Sequence, residues 1–336
     1  MDYLLNILPK NFLLSVCLSI FTHSFAADPP FGRLSVRQSQ LVDSFGKPVI
    51  LRGISLFNSE WQQEFWTSDV VRAVKCYYNA NVIRLAVGTD HPWDDIDRIK
   101  DVVNASIENG IYLLIDWHNA GDGGYAFGTG IPDFNAFISN AVDFFDHMSN
   151  LYANIPNMLY EIWSEPAWLE WRIIKYYHYN VMKAIRSNDK HAVIIGGTPD
   201  WSTGPNSAVL TQPIIGYNFL YALHWYAIPD NIHHTLQQRM ILSAKRKGLG
   251  TFVSEYGTTS LEEHAPIEYD MVKYWWGFLE RHQVSYIVWS MSNKNESTAM
   301  IKANCTAAQV TQEECISESG IFVRDHLWSF DNGVKC

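Results

Sequence analysis

Eight short apolar runs divide this chain, and each is followed by residues with helical spacing. The runs are VILRGI (49–54), NVIRLAV (81–87), IYLLIDW (111–117), NMLYEIW (157–163), AVIIGG (192–197), LYALHWY (220–226), GTFVSEYG (250–257) and VSYIVWS (284–290). Strands that are apolar almost throughout belong to parallel sheets buried on both faces. Between them, DVVRAVKCYYNAN (69–81), DIDRIKDVVNASIENG (95–110) and FNAFISNAVDFFDHMSNLY (134–152) read as helices, the second ending on a glycine stop signal. Eight β-then-α steps in about 250 residues predict a single-domain α/β protein, a (β/α)8 TIM barrel. The rival, a doubly wound open sheet, needs a glycine-rich phosphate loop after its first strand. Here SLFNSEWQQEF follows VILRGI and contains no glycine.

The flanks bound where such a barrel works. Lys10, the apolar core FLLSVCLSIF and a small-x-small site at Ser24 and Ala26 predict a signal peptide over 1–26, leaving 27–336 as the mature domain. No other run reaches the roughly 20 apolar residues of a membrane span. The expectation is therefore a secreted, monomeric protein that leaves the membrane once the signal is removed. The net charge of −10 argues against a nucleic-acid partner, which would call for basic patches. Cys17 leaves with the signal, and Cys76, Cys305, Cys315 and Cys336 remain. In an oxidising compartment they can pair in three ways, of which Cys305 with Cys315 is a local candidate. Asn104-Ala-Ser, Asn295-Glu-Ser and Asn304-Cys-Thr are glycosylation sequons.

In a barrel, chemistry collects at the C-terminal strand ends. There stand Arg84, Asp116-Trp117-His118, Glu165, Trp201, His224 with Tyr226, Glu255-Tyr256 and Trp289. This set holds carboxylates, imidazoles, a guanidinium and indoles. It has no serine or cysteine nucleophile motif and no metal triad, so neither metal nor cofactor is expected. Two rim carboxylates, Glu165 and Glu255, suit glycoside hydrolysis, in which one protonates the leaving oxygen and the other attacks the sugar or activates water. Apolar neighbours can raise the pKa of the acid, and Arg84 is placed to keep the nucleophile ionised. The 13 Trp and 17 Tyr point the same way, because flat aromatic faces pack against sugar rings. His233-His234 lies in a helical stretch away from these carboxylates and is expected on the solvated surface.

Eight segments make the reading specific: GISLFNSEWQQEFW, AVKCYYNANVIRLAVG, IYLLIDWH, YEIWSEP, IIGGTPDWS, LHWYA, FVSEYGT and YIVWSMSNKNES. In this order and spacing, over residues 31 to 300, the chain resembles glycoside hydrolase family five, and closely its subfamily two of β-1,4-endoglucanases. The resemblance implies a secreted, retaining endo-β-1,4-glucanase on a TIM barrel with no cofactor, acting on a β-1,4-linked polysaccharide. It implies Glu165 as acid/base and Glu255 as nucleophile, with Arg84 and Tyr226 hydrogen-bonded to the nucleophile. His118 and His224 would line the subsite of the attacked sugar, and Trp289 would lie beneath it. Trp61, Trp201, Lys294 and Glu296 would make flanking contacts.

One position departs from the pattern. The family places Asn before the acid/base, where it donates to the sugar 2-hydroxyl and the nucleophile; this chain has Ser164. A hydroxyl is shorter and offers one donor. A second change places Asn293 where the family has Asp. Ser164 and the loop NAGDGGYAFGTG (119–130) leave two alternatives open: a xyloglucanase, xylanase or mannanase specificity on the same scaffold, or a catalytically weakened glycan-binding protein.

Overall fold

The computed structural model describes residues 27–123 and 131–336. The expected signal peptide and the second half of the loop at 119–130 lie outside the described residues. Eight strands close into one barrel: β1 (Arg52–Leu56), β2 (Val82–Gly88), β3 (Tyr112–His118), β4 (Met158–Glu161), β5 (Val193–Gly196), β6 (Phe219–Tyr226), β7 (Gly250–Gly257) and β8 (Tyr286–Met291). Each pairs in parallel with its sequence neighbour, and β8 returns to β1 through Tyr286↔Arg52 and Ile287↔Gly53. The principal covering helices are α1 (Ser68–Cys76), α2 (Ile96–Glu108), α3 (Ile131–Leu151), α4 (Trp171–Asn188), α5 (Ser207–Thr211), α6 (Asn231–Arg246), α7 (Tyr269–His282) and α8 (Glu318–Trp328).

The predicted runs and the observed elements differ at their ends for local reasons. The first run begins before β1 because Val49 and Leu51 pack with Leu34 and Leu41 under the barrel. The first helix stops at Cys76 rather than running on, and Asn79 beyond it has a left-handed φ of 58°. The fourth strand ends at Glu161, after which the chain turns back over the barrel mouth. There the Ser164 amide donates to the Trp117 carbonyl at 3.1 Å, and Glu165–Pro166 pair in parallel with Ala120–Gly121.

Strand alternation separates two cores. On β2, Ile83, Leu85 and Val87 face the helices, while Val82 joins the barrel interior with Tyr112, Leu114, Leu159, Ile195, Leu220, Ala222, Phe252 and Ile287. The period of two then carries each interior face upward into polar residues. Val82 leads to Arg84, Leu114 to Asp116, Leu159 to Glu161, and Ala222 to His224. The lower barrel is therefore apolar and the upper barrel charged, on the same strands.

Cystine bridges join Cys76 to Cys336 and Cys305 to Cys315. The second is the local pair expected, and the first ties the C-terminal segment to the end of α1. His233-His234 departs from the surface expectation. His234 is buried, with Nε2 on the Ile228 carbonyl at 2.7 Å and Nδ1 accepting from Trp275 Nε1 at 2.9 Å. The apolar spacing of α6 and α7 packs that imidazole between them, so it is a core residue. The sequon asparagines Asn104, Asn295 and Asn304 are all exposed.

Candidate active site

Arg84 organises the barrel mouth. Its guanidinium makes four hydrogen bonds, from Nε to Glu161 Oε2 at 2.7 Å, from Nη1 to Glu255 Oε2 at 2.9 Å and Ser55 Oγ at 3.3 Å, and from Nη2 to Ser164 Oγ at 2.9 Å, and Nη2 forms a further ion pair with Asp116 Oδ2 at 2.8 Å. The guanidinium is fully buried, so each donor left unmet would carry its whole desolvation cost. Burial disfavours its charge, but Asp116, Glu161 and Glu255 outweigh that and hold it more firmly cationic than usual.

Glu255 is gripped on both oxygens, by Arg84 on Oε2 and by the Tyr226 hydroxyl on Oε1 at 2.8 Å. Burial opposes its ionisation, but His224, Arg84, His118 and the Tyr226 hydroxyl prevail and hold the carboxyl below the usual range. His224 links the two arms of the site. Its Nδ1 donates to Glu165 Oε1 at 2.8 Å, and its Nε2 donates to Ser254 Oγ at 3.0 Å, which in turn donates to Glu161. Burial pulls the His224 pKa down, yet Glu255, Glu161 and Glu165 together push it up to about 10. His224 is thus an imidazolium with both N–H groups donating.

One oxygen of Glu165, one of Glu255 and a ring nitrogen of His224 lie within 4.8 Å of one another. His118 Nδ1 pairs with Asp116 Oδ2 at 2.7 Å, and the His118 ring stacks on Trp289 at 5.1 Å with 10° between planes. Phe57 backs Trp289 from another side at 4.9 Å. Burial, opposed by Arg84, raises Asp116 to about 6, whereas Arg84, His224 and Ser254 overcome burial at Glu161 and lower it to about 2.

Two hollows adjoin this centre. One, of about 350 Å³, is lined by Trp289, His118, Phe57, Trp61 and Lys294 among others. The other, of about 380 Å³, is lined by Glu165, Trp201, His224, Tyr226 and Leu261 among others. The structure thus gathers Arg84, His118, Ser164, Glu165, His224, Tyr226, Glu255 and Trp289 at one centre, with Trp61 and Lys294 on one flank and Trp201 on the other. Glu296 reaches neither hollow; it pairs with Lys294 at 2.8 Å and lines a separate recess behind it. Asn293 is turned away from the centre, its amide donating to the Cys305 carbonyl at 2.7 Å.

Sequence reasoning assigned no role to Asp116, Glu161, Ser55 or Ser254, though all touch Arg84 or His224 directly or through one hydroxyl. A signal existed for Glu161. It stands two residues after Leu159 on the inward face of an apolar strand, and a buried carboxylate there requires a cation.

A closed barrel whose charged end holds two carboxylates side by side, in a groove walled by indoles, belongs with enzymes that cut sugar polymers. Known proteins agree. The family model described as Cellulase (glycosyl hydrolase family 5) matches residues 42–295, and the chain belongs to that family, making it a glycoside hydrolase. It is 32% identical over 310 residues to Endoglucanase A of Butyrivibrio fibrisolvens, covering 88% of this chain and 69% of that protein. It is 31% identical over 323 residues to Endoglucanase N of Pectobacterium atrosepticum, covering 94% of this chain and 70% of that protein. The catalytic domain of Thermobifida fusca endoglucanase Cel5A (E5) superposes with a TM-score of 0.81 at 26% identity, covering 90% of this chain and 100% of that chain.

Proposed function

We propose that this chain is a secreted, monomeric, retaining endo-β-1,4-glucanase that cuts internal bonds of cellulose or a related β-glucan. The observation that carries the mechanism is the approach of Glu165 and Glu255 to within 4.8 Å, oxygen to oxygen. Retaining enzymes hold their carboxyl groups about 5–5.5 Å apart, and inverting ones about 6.5–9.5 Å, to admit a water. Glu255, ionised between Arg84 and Tyr226, attacks the anomeric carbon and forms the glycosyl-enzyme. Glu165 takes the His224 hydrogen bond on Oε1, which leaves Oε2 to carry a proton to the leaving oxygen. Glu165 then removes a proton from the water that releases the sugar. Trp289, steadied by His118 and Phe57, lies beneath the attacked ring.

The substrate rests on the relatives. The two endoglucanases at 31–32% identity support a glucan. A second structure of the Thermobifida domain is described in complex with cellotetraose. Among the described residues, no helix is long and apolar enough to cross a membrane, in keeping with release from the cell.

The deciding experiment uses a 2-deoxy-2-fluoro-cellobioside with an activated leaving group. Mass spectrometry of the trapped protein is expected to place the sugar on Glu255, and Glu255→Gln is expected to abolish both labelling and hydrolysis of carboxymethyl-cellulose. Unimpaired hydrolysis by Glu255→Gln would overturn the assignment.

A further inference from the structure

Three asparagine sequons take no part in the proposed chemistry, and the structure separates them. Asn104 lies within α2, its Oδ1 accepting from the Tyr152 hydroxyl at 3.2 Å. The Ser106 of its sequon is buried, its hydroxyl donating to the Val102 carbonyl at 2.8 Å. Asn304 directly precedes Cys305, which is buried and bridged to Cys315. Asn295 stands in an exposed bend after β8, outside any helix or strand.

Asn295 also lines a recess of about 370 Å³, within the size of small-molecule sites. Three segments wall it: residues 264–267 ahead of α7, 294–303, and 317–319 at the start of α8. The Ser297 amide donates to the Glu263 carbonyl at 2.9 Å, and the Ser317 amide and hydroxyl donate to the Met300 and Ala299 carbonyls at 2.9 and 2.6 Å. His264, Glu296, Lys302 and Glu318 give the lining both donors and acceptors, and buried Ala299 and Ile301 add apolar surface. An acetamido sugar carries the same mixture: hydroxyls, one amide, one methyl and an apolar C–H face.

The recess is distinct from the cleft. Lys294 borders both, and its ammonium pairs with Glu296 of the recess at 2.8 Å. A sugar carried by Asn295 therefore has a place of its own and leaves the Trp289 hollow open.

We infer that Asn295 is an N-glycosylation site whose first N-acetylglucosamine packs into this recess and ties the loop 294–303 to the segments that open α7 and α8. In the covalent step Asn295 Nδ2 attacks the anomeric carbon of an oligosaccharide carried on a lipid pyrophosphate. A C–N bond forms, the C–O bond to the pyrophosphate breaks, and the amide proton leaves with the pyrophosphate. The sequon Asn295-Glu296-Ser297 supplies the acceptor. This inference rests on the secreted reading, because such a donor is met only in a secretory compartment.

The test is expression of the full chain in cells whose N-glycans stay mannose-rich. Trypsin isolates residues 295–302, which contain this sequon alone. Mass spectrometry of the released protein is expected to find that peptide glycosylated, and the modification is expected to vanish in Asn295→Gln and in Ser297→Ala. Endoglycosidase H, which leaves one N-acetylglucosamine on each site, should not change the melting temperature. Both variants should melt about 2–3 °C below the trimmed protein, with faster amide exchange in 294–303 and 317–319. An unmodified 295–302 peptide in released protein overturns the inference and leaves secretion standing. Occupancy with equal melting and equal exchange marks a surface glycan outside the recess and overturns it as well. A chain that stays in the cell without any glycan overturns the secreted reading and this inference together.

Discussion

Exchanging Ser164 for Asn should raise turnover, and the structure sets the size of the effect. Ser164 is fully buried, and its Oγ accepts from Arg84 Nη2 at 2.9 Å. That nitrogen also reaches Asp116 Oδ2 at 2.8 Å, so Arg84 stays anchored whatever replaces the serine. The hydroxyl keeps one hydrogen to donate, on a short side chain. An Asn amide could accept from Arg84 through its oxygen and extend two N–H donors toward the attacked sugar and Glu255. A preorganised donor aimed at charge that develops only in the transition state is worth about 2.7–4 kcal/mol, or on the order of 10²–10³ in rate. Ser164 already supplies part of this, so the expected gain in kcat is about tenfold or more. KM should stay within about threefold, because the interaction strengthens in the transition state rather than the ground state. Fitting a larger side chain into a closed site should cost about 1–3 kcal/mol of stability. The assay is reducing-end release from carboxymethyl-cellulose, xyloglucan, xylan and glucomannan by wild type, Ser164→Asn and Ser164→Ala, with thermal melts of all three. A folded Ser164→Asn protein whose kcat is unchanged or lower would refute the reasoning. A silent wild type and an active Asn variant would mean that the serine has disarmed an otherwise complete site.

Two further outcomes can be checked without substrate. His224 has its pKa raised from 6.5 to about 10 in the folded chain, so its charge stabilises the fold fully below pH 6.5 and that contribution is lost as pH rises toward 10. Melting temperature should accordingly fall across that window in wild type and fall less in His224→Gln; parallel profiles would refute the charge assignment. The Cys76–Cys336 bridge closes a loop with a sequence separation of 260, which in the chain-entropy picture is worth about 5.5 kcal/mol. Replacing both cysteines with serine should lower the melting temperature by about 8–9 °C, and no change in calorimetry would show that the other C-terminal contacts suffice.

The barrel was legible because its signal is periodic and local. Eight apolar runs separated by amphipathic helices have few other ways to bury themselves, and the observed strands overlap every predicted run. The strand-end rule then singled out Arg84, His118, His224, Tyr226, Glu255 and Trp289. Errors fell where local pattern is weakest. His234 read as surface because polarity was judged without α7, whose Trp275 covers it. Glu296, for which the family resemblance implied a flanking contact, has its carboxylate paired with Lys294, itself a residue of the Trp289 hollow.

The sequence by itself determined which chemistry stands at the barrel mouth, because alternation along each strand forces every second residue inward and the apolar runs end in charge. The resemblance of its motifs to glycoside hydrolase family five also set Ser164 against the family's Asn, a comparison needing no coordinates. Only the tertiary structure decided who touches whom. That one guanidinium serves Ser55, Asp116, Glu161, Ser164 and Glu255 depends on the registers of five different strands and the turn after β4. That Trp168 meets Trp201 at a right angle depends on two left-handed turns from separate loops. Such contacts join residues far apart in the chain, so their distances are fixed by the closing of the barrel and not by any local preference.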